Sequence, residues 1–113
     1  METVNKYNSG IFSMRNTDSI ISYCKKVKNA IAQPVTVAEN YEWWAAHGQE
    51  LASVLDFIAI HVYPLWEGQD IHPDLAYSIA NIQKVRDSLP ESIIVISEAG
   101  WATVASEFGE RAN

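Results

Sequence analysis

The stretch IIVISEAGW, residues 93–101, decides how this chain folds. Its first four residues are apolar and β-branched, which is typical of a strand in a parallel sheet covered by helices. The strand runs directly into Glu98, and Gly100 and Trp101 follow. A carboxylate at the end of an apolar strand is costly unless it is paired, hydrogen-bonded or solvated at a site. Because sugar rings stack on tryptophan faces, the stretch has what a glycosidase site requires, and helix capping by Glu98 explains the same residues equally well.

Upstream of this stretch, predicted helices and strands alternate. The helices begin at Thr17–Ser19, at Asn40 and at Pro73–Asp74, and the strands cover 35–39, 57–63 and 93–96. This order predicts an α/β fold with a parallel sheet and right-handed crossovers. Residues 1–16 are polar and are predicted to be irregular, and residues 17–113 are predicted to form one domain.

The composition excludes several classes of protein. With 113 residues and a net charge of −6, the chain is an acidic, domain-sized polypeptide without the basic stripe that nucleic-acid binding needs. No apolar run approaches the ~18–20 residues of a membrane span, and no secretory signal is visible. Cys24 is the only cysteine and sits in an apolar helical stripe, so we expect a buried side chain and no internal disulfide. The three histidines lack metal-ligand spacing, and neither a metal nor a cofactor is expected.

Polar residues also end the other two predicted strands. In the strand at 57–63, His61 and Tyr63 share the face away from the covering helices. Trp66 and Glu67 follow in the next loop, where they could bind a ligand. Glu39 ends the first strand. Since reacting groups in parallel α/β folds lie at the carboxyl ends of strands, these are site candidates.

Each of these candidates also has a structural interpretation. His61 is more often a hydrogen-bonded structural residue, and Glu39 equally well caps a helix or forms an ion pair. The helix-spaced Trp43 and Trp44 are expected in the core.

The stretch from Pro34 through Arg111 resembles glycoside hydrolase family 17, the β-1,3-glucanase and glucanosyltransferase family, in its bacterial form. The most specific match is IIVISEAGW, residues 93–101, in which an apolar strand is followed by Ser, Glu, Ala, Gly and Trp. A second match runs DFIAIHVYPLWEG, residues 56–68, and a third is PVTVA, residues 34–38, with Glu39 after it.

The resemblance implies a (β/α)₈ barrel acting on β-1,3-glucan by a retaining mechanism, of which this chain supplies about three βα units, roughly strands 5–7. Glu98 would be the nucleophile, and the remaining site residues would bind substrate: Glu39, His61, Tyr63, Trp66, Glu67 and Trp101. Family members are often secreted or periplasmic. Another retaining family with a strand-end glutamate is an alternative that would change the linkage but not the reaction type.

Two departures from the family pattern matter. Ala102 stands where the family has a proline, which affects the loop more than the chemistry. The family's acid/base glutamate directly follows an asparagine, and no Asn-Glu pair exists in this chain. With about 250 residues typical of the barrel, we expect a partial chain that is inactive or weak by itself. A glucan-binding or non-functional module is the alternative. The remaining barrel, or a second copy, would cover the exposed sheet edges.

Overall fold

The computed structural model describes residues 10–64 and 74–100, with side-chain burial for 17–64 and 75–100. The elements are α1 (Gly10–Ala30), β1 (Ala38–Asn40), α2 (Tyr41–His47), α3 (Gln49–Ala52), β2 (Ile58–Val62), α4 (Asp74–Ser88) and β3 (Ile94–Ala99). The three strands form one parallel sheet in the order β1-β2-β3. The predicted α/β fold with a parallel sheet is therefore confirmed.

The core lies around the central strand, all five residues of which are buried. Helix α2 packs against α4 and the sheet, and the indole Nε1 of Trp44 donates to the carbonyl of Ala59 at 3.0 Å. Trp43 meets Trp44 edge to face and is partly buried. Trp44 is thus a core residue, as predicted, whereas Trp43 packs against the core and is only partly buried. Cys24 is buried too, and this burial raises the pKa of its thiol.

Several element boundaries differ from the sequence prediction. Helix α1 begins at Gly10 rather than at Thr17–Ser19, so the expectation of an irregular segment is wrong for residues 10–16, and residues 1–9 lie outside the described part. The first strand begins three residues later than predicted. Asn40 does cap α2, since its Oδ1 accepts from the amide of Glu42 at 2.7 Å.

Gly48 divides the single helix predicted after Asn40 into α2 and α3. A Cβ at this position would lie 2.5 Å from Cε3 of Trp44 and 2.7 Å from its carbonyl oxygen. Only glycine fits so close to a helix backbone, because a carbonyl cannot move aside as a flexible side chain can. The glycine is therefore required by packing rather than by an unusual backbone angle.

The amino end of the sheet is held together by Asp56. Its Oδ2 accepts from the amide of Val35 at 2.7 Å, and its Oδ1 accepts from Nζ of Lys28 at 3.0 Å. The amide of Asp56 donates to the Val35 carbonyl, and the Thr36 hydroxyl donates to the carbonyl of Phe57 at 2.7 Å. These bonds fix the entry to β1 against the entry to β2.

Several large apolar side chains on and beside the helices and the edge strand are exposed. Val85 of α4 and Leu89, which directly follows the helix, are buried, but Leu75 is 73% exposed and Ile79 is 57% exposed. The other large exposed apolar residues are Tyr23, Val27, Ile31, Ile93, Val95 and Ile96. Tyr23 and Val27 lie on α1, and Ile31 directly follows it. The other three lie at or just before the edge strand β3, where the three-stranded sheet ends. Among the helices of residues 10–64 and 74–100, none is long and apolar enough to cross a membrane.

Candidate active site

Three side chains meet at the carboxyl end of the sheet. The hydroxyl of Tyr63 donates to Oε2 of Glu98 at 3.0 Å, and Nε2 of His61 lies 3.5 Å from Oε1. The His61 side chain is 1% exposed, whereas that of Glu98 is 48% exposed. The Tyr63 hydroxyl therefore holds one carboxylate oxygen by a hydrogen bond, and His61 lies beside the other at a longer distance, while the carboxylate remains open to solvent.

The chain geometry that brings Glu98 to this position is a β-bulge. Ile60 pairs with Ile96, but the next residue, His61, pairs with Glu98, so Ser97 is the extra residue on β3. Side chains that pair across a parallel sheet point to the same face. The bulge thus places Glu98 on the face of His61 instead of the face of Ile60.

Gly100, two residues after Glu98, lies beside the Tyr63 ring. A Cβ at Gly100 would lie 3.4 Å from Cε1 of Tyr63, which is an ordinary van der Waals distance. The Tyr63 ring therefore packs against the chain that follows the glutamate, and a methyl group would fit at this position.

Glu39 lies on the far strand of the sheet and is 1% exposed. Its Oε1 accepts from the amide of Asn40 at 2.8 Å, and its register partner on β2 is Ile60, not His61. A carboxylate this deeply buried meets no sugar in the present conformation. Its role in binding substrate stays a prediction.

Three of the predicted substrate-binding residues, Trp66, Glu67 and Trp101, lie outside the described residues. Sequence reasoning brought together Glu98, His61 and Tyr63 through the rule on strand ends. It missed the bulge at Ser97, because a run of four apolar residues does not reveal which face each occupies. Within residues 10–64 and 74–100, no three His, Cys, Asp or Glu side chains cluster as a metal site would require.

Comparison with solved structures places this fold beside family 17 enzymes. An active-site mutant of Rhizomucor miehei β-1,3-glucanosyltransferase in complex with laminaritriose matches with a TM-score of 0.75 and 23% identity, over 84% of this chain and 36% of that chain. The glycoside hydrolase family 17 β-1,3-glucanosyltransferase from the same organism matches with a TM-score of 0.68 and 26% identity, over 75% and 32%. No family model and no curated protein matches the sequence.

The chain therefore has a family 17-like fold, and the resemblance found in the sequence is confirmed at that level. It spans about a third of the length of the two glucanosyltransferases.

Proposed function

We propose that Glu98 is the nucleophile of a retaining glycosidase-type site that acts on β-1,3-glucan. The observation that carries this proposal is the exposed Glu98 carboxylate, held by Tyr63 at 3.0 Å with His61 at 3.5 Å, at the carboxyl end of a parallel sheet. The family 17-like fold supports the substrate class, since one of the solved neighbours holds laminaritriose. Trp66, Glu67 and Trp101 are proposed to line the cleft.

The proposed reaction is a double displacement. A carboxylate oxygen of Glu98 attacks the anomeric carbon while the bond from that carbon to the leaving oxygen breaks, and the leaving oxygen takes a proton from an acid. Water or a sugar hydroxyl then attacks the same carbon, gives a proton to the conjugate base, and releases Glu98. Tyr63 holds one carboxylate oxygen so that the other can point toward the sugar.

The acid/base group needs a second carboxyl about 5–5.5 Å from the first. The family's Asn-Glu pair is missing from the sequence, and Glu39 is too deeply buried in the described structure to take over the role as it stands. We therefore expect no measurable hydrolysis of ordinary glucan by the 113 residues alone. The nucleophile should be testable without the acid.

A 2,4-dinitrophenyl 2-deoxy-2-fluoro-β-laminaribioside provides this test, because dinitrophenolate leaves with its electron pair and needs no proton. The glycosyl group then stays on the attacking carboxylate as an ester. We expect peptide mass mapping of the full chain to find the label on Glu98. Laminarin added in excess should protect against labelling.

Two variants control the labelling experiment. Glu98→Gln should abolish it, because the amide is not a nucleophile, whereas Glu91→Gln, at an exposed turn, should label like the native chain. Label distributed over several exposed carboxylates, or unaffected by Glu98→Gln, would refute the assignment of the nucleophile.

A second candidate function is glucan binding without hydrolysis, which the missing Asn-Glu pair favours. Affinity electrophoresis through laminarin, compared with a reducing-sugar assay, separates the two functions. Retardation without labelling of Glu98 would support the binding module. Labelling of Glu98 would support the enzyme site.

The exposed apolar residues suggest that another protein surface packs against the sheet and α4. Ile93, Val95 and Ile96 at the β3 edge, with Leu75 and Ile79 on α4, form apolar surface that the rest of a barrel would cover. We propose that the remaining barrel elements or a second copy of the chain occupy it. Analytical ultracentrifugation should detect dimers or larger species that lessen with Val95→Lys, and a strictly monomeric native chain would contradict this.

A further inference from the structure

Ser97 is the extra residue of the bulge on β3, and it stands directly before Glu98. Ile96 is the last residue of the regular register with Ile60, and the register resumes at Glu98 with His61. β-Bulges in parallel pairs are rare, and bulges near active sites re-aim a side chain. This bulge lies one residue before the candidate nucleophile, where it can change the direction of the Glu98 side chain.

Strand alternation shows what the bulge changes. Without the extra residue, Ile96 and Glu98 would share a face two residues apart, and that face is the one of Ile60. The carboxylate would then point away from Tyr63 and His61. The observed contacts at 3.0 Å and 3.5 Å both depend on the shifted register.

The Ser97 side chain forms a bond across the bulge. Its hydroxyl donates to the carbonyl of Ile60 at 3.3 Å, and the bond joins the exposed Ser97 to the buried Ile60. This bond joins the extra residue to the last β2 residue before the shift. It ties the two strands together where the ladder is irregular.

We infer that Ser97 is a positioning residue, whose hydroxyl bond to Ile60 holds Glu98 on the face of Tyr63 and His61. This inference rests on the proposed role of Glu98 as nucleophile. The physical claim concerns the register, so it can also be measured where no chemistry occurs.

The most direct test compares Ser97→Thr with Ser97→Val, because the two side chains have nearly the same shape and only the first carries a hydroxyl. In NMR spectra of the full chain, we expect a through-space contact between the Tyr63 ring and the Glu98 side chain. Ser97→Thr should keep it and Ser97→Val should lose it. Ser88→Ala, which removes a hydroxyl bond to a carbonyl on α4, should leave it intact.

The labelling rate at Glu98 gives the second readout. Loss of one neutral hydrogen bond corresponds to about a two- to tenfold change, so Ser97→Val should label slower by that factor and Ser97→Thr at the native rate. In a Tyr63→Phe background the penalty of Ser97→Val should shrink, because the contact that Ser97 preserves has already been removed. A general loss of folding would not produce this dependence on Tyr63.

The outcomes separate the two proposals. A native chain that shows the Tyr63–Glu98 contact but takes no label refutes the proposed nucleophile and leaves the Ser97 comparison measurable by NMR. A contact that persists in Ser97→Val refutes the positioning role, whatever the labelling. If Ser97→Val does not fold, Ser97→Ala repeats the comparison with a smaller side chain.

Discussion

Each end of the parallel sheet holds a carboxylate with two contacts, and the two carboxylates have different partners. At the amino end, Asp56 accepts from the Val35 amide and from the Lys28 ammonium. At the carboxyl end, Glu98 accepts from the Tyr63 hydroxyl and has the imidazole of His61 nearby. The Asp56 and Glu98 side chains are 39% and 48% exposed, so exposure does not separate them.

The partners explain why one end is structural and the other a candidate site. At Asp56, a backbone amide and a cation use both carboxylate oxygens, and the bonds join two strand entries. Among the described residues, the polar partners of Glu98 are the hydroxyl of Tyr63, just after β2, and the imidazole of His61 on β2, and neither is a Lys or Arg. In parallel α/β folds, groups at the amino end of the strands serve stability and groups at the carboxyl end serve chemistry.

Asp56→Ala should have the largest effect on stability of any change in this comparison. It removes an acceptor for the Val35 amide and the partner of Lys28, and so frees the entry to β1 from the entry to β2. Urea denaturation followed by tryptophan fluorescence should show a lower midpoint. Asp87→Ala, which removes an exposed carboxylate that accepts from Gln83 within α4, is the matched control and should change the midpoint little.

The pH dependence of this difference identifies its cause. The Val35 amide and the Lys28 side chain lower the pKa of the Asp56 carboxyl from its ordinary value of 3.8. A lowered pKa in the folded state contributes stability that is fully present above 3.8 and is lost as the pH falls through the lower folded value. The midpoint gap between the native chain and Asp56→Ala should therefore be constant near neutral pH and shrink in acid. A gap that grows in acid would contradict the assignment.

Tyr63→Phe should have a smaller effect, and on chemistry rather than stability. The variant loses the hydroxyl that donates to Glu98 but keeps the ring beside Gly100. Labelling of Glu98 by the fluorosugar should slow about two- to tenfold, as expected for one hydrogen bond. The urea midpoint should stay near that of the native chain. Tyr23→Phe, at a largely exposed position on α1, should label at the native rate, and equal slowing in both variants would refute a specific role.

Most of the fold was predictable because local signals agreed. Apolar runs indicated β2 and β3, and Asn40 was identified as the cap that it is. The break at Gly48 was not predicted, because its closeness to the Trp44 carbonyl depends on how the chain turns there. The spacing of apolar and polar residues does not show where a side chain would come too close to the backbone.

The proximity of three candidate residues was predictable from the sequence, but their geometry was not. The strand-end rule brought Glu98 together with His61 and Tyr63, and the contacts bear this out. The side of the sheet on which Glu98 lies could not be predicted, because the apolar run before it shows no alternation of polar and apolar residues. In the sequence, Ser97 has no feature that marks it as special. Only the strand register shows that it is the extra residue of the bulge.

Lys28→Ala should produce the smallest change, and it separates the two bonds that Asp56 accepts. Both side chains of the ion pair are more than a third exposed, and such pairs contribute little to stability because water and salt screen them. The backbone bond to Val35 remains in this variant. We therefore expect a midpoint shift well below that of Asp56→Ala, and one that vanishes in about 1 M salt, where the Debye length is about 3 Å. Lys25→Ala on the same helix is the matched control. If Lys28→Ala equals Asp56→Ala in effect, the cation and not the Val35 amide holds the amino end, and Asp56 would then stabilise the fold mainly by its charge.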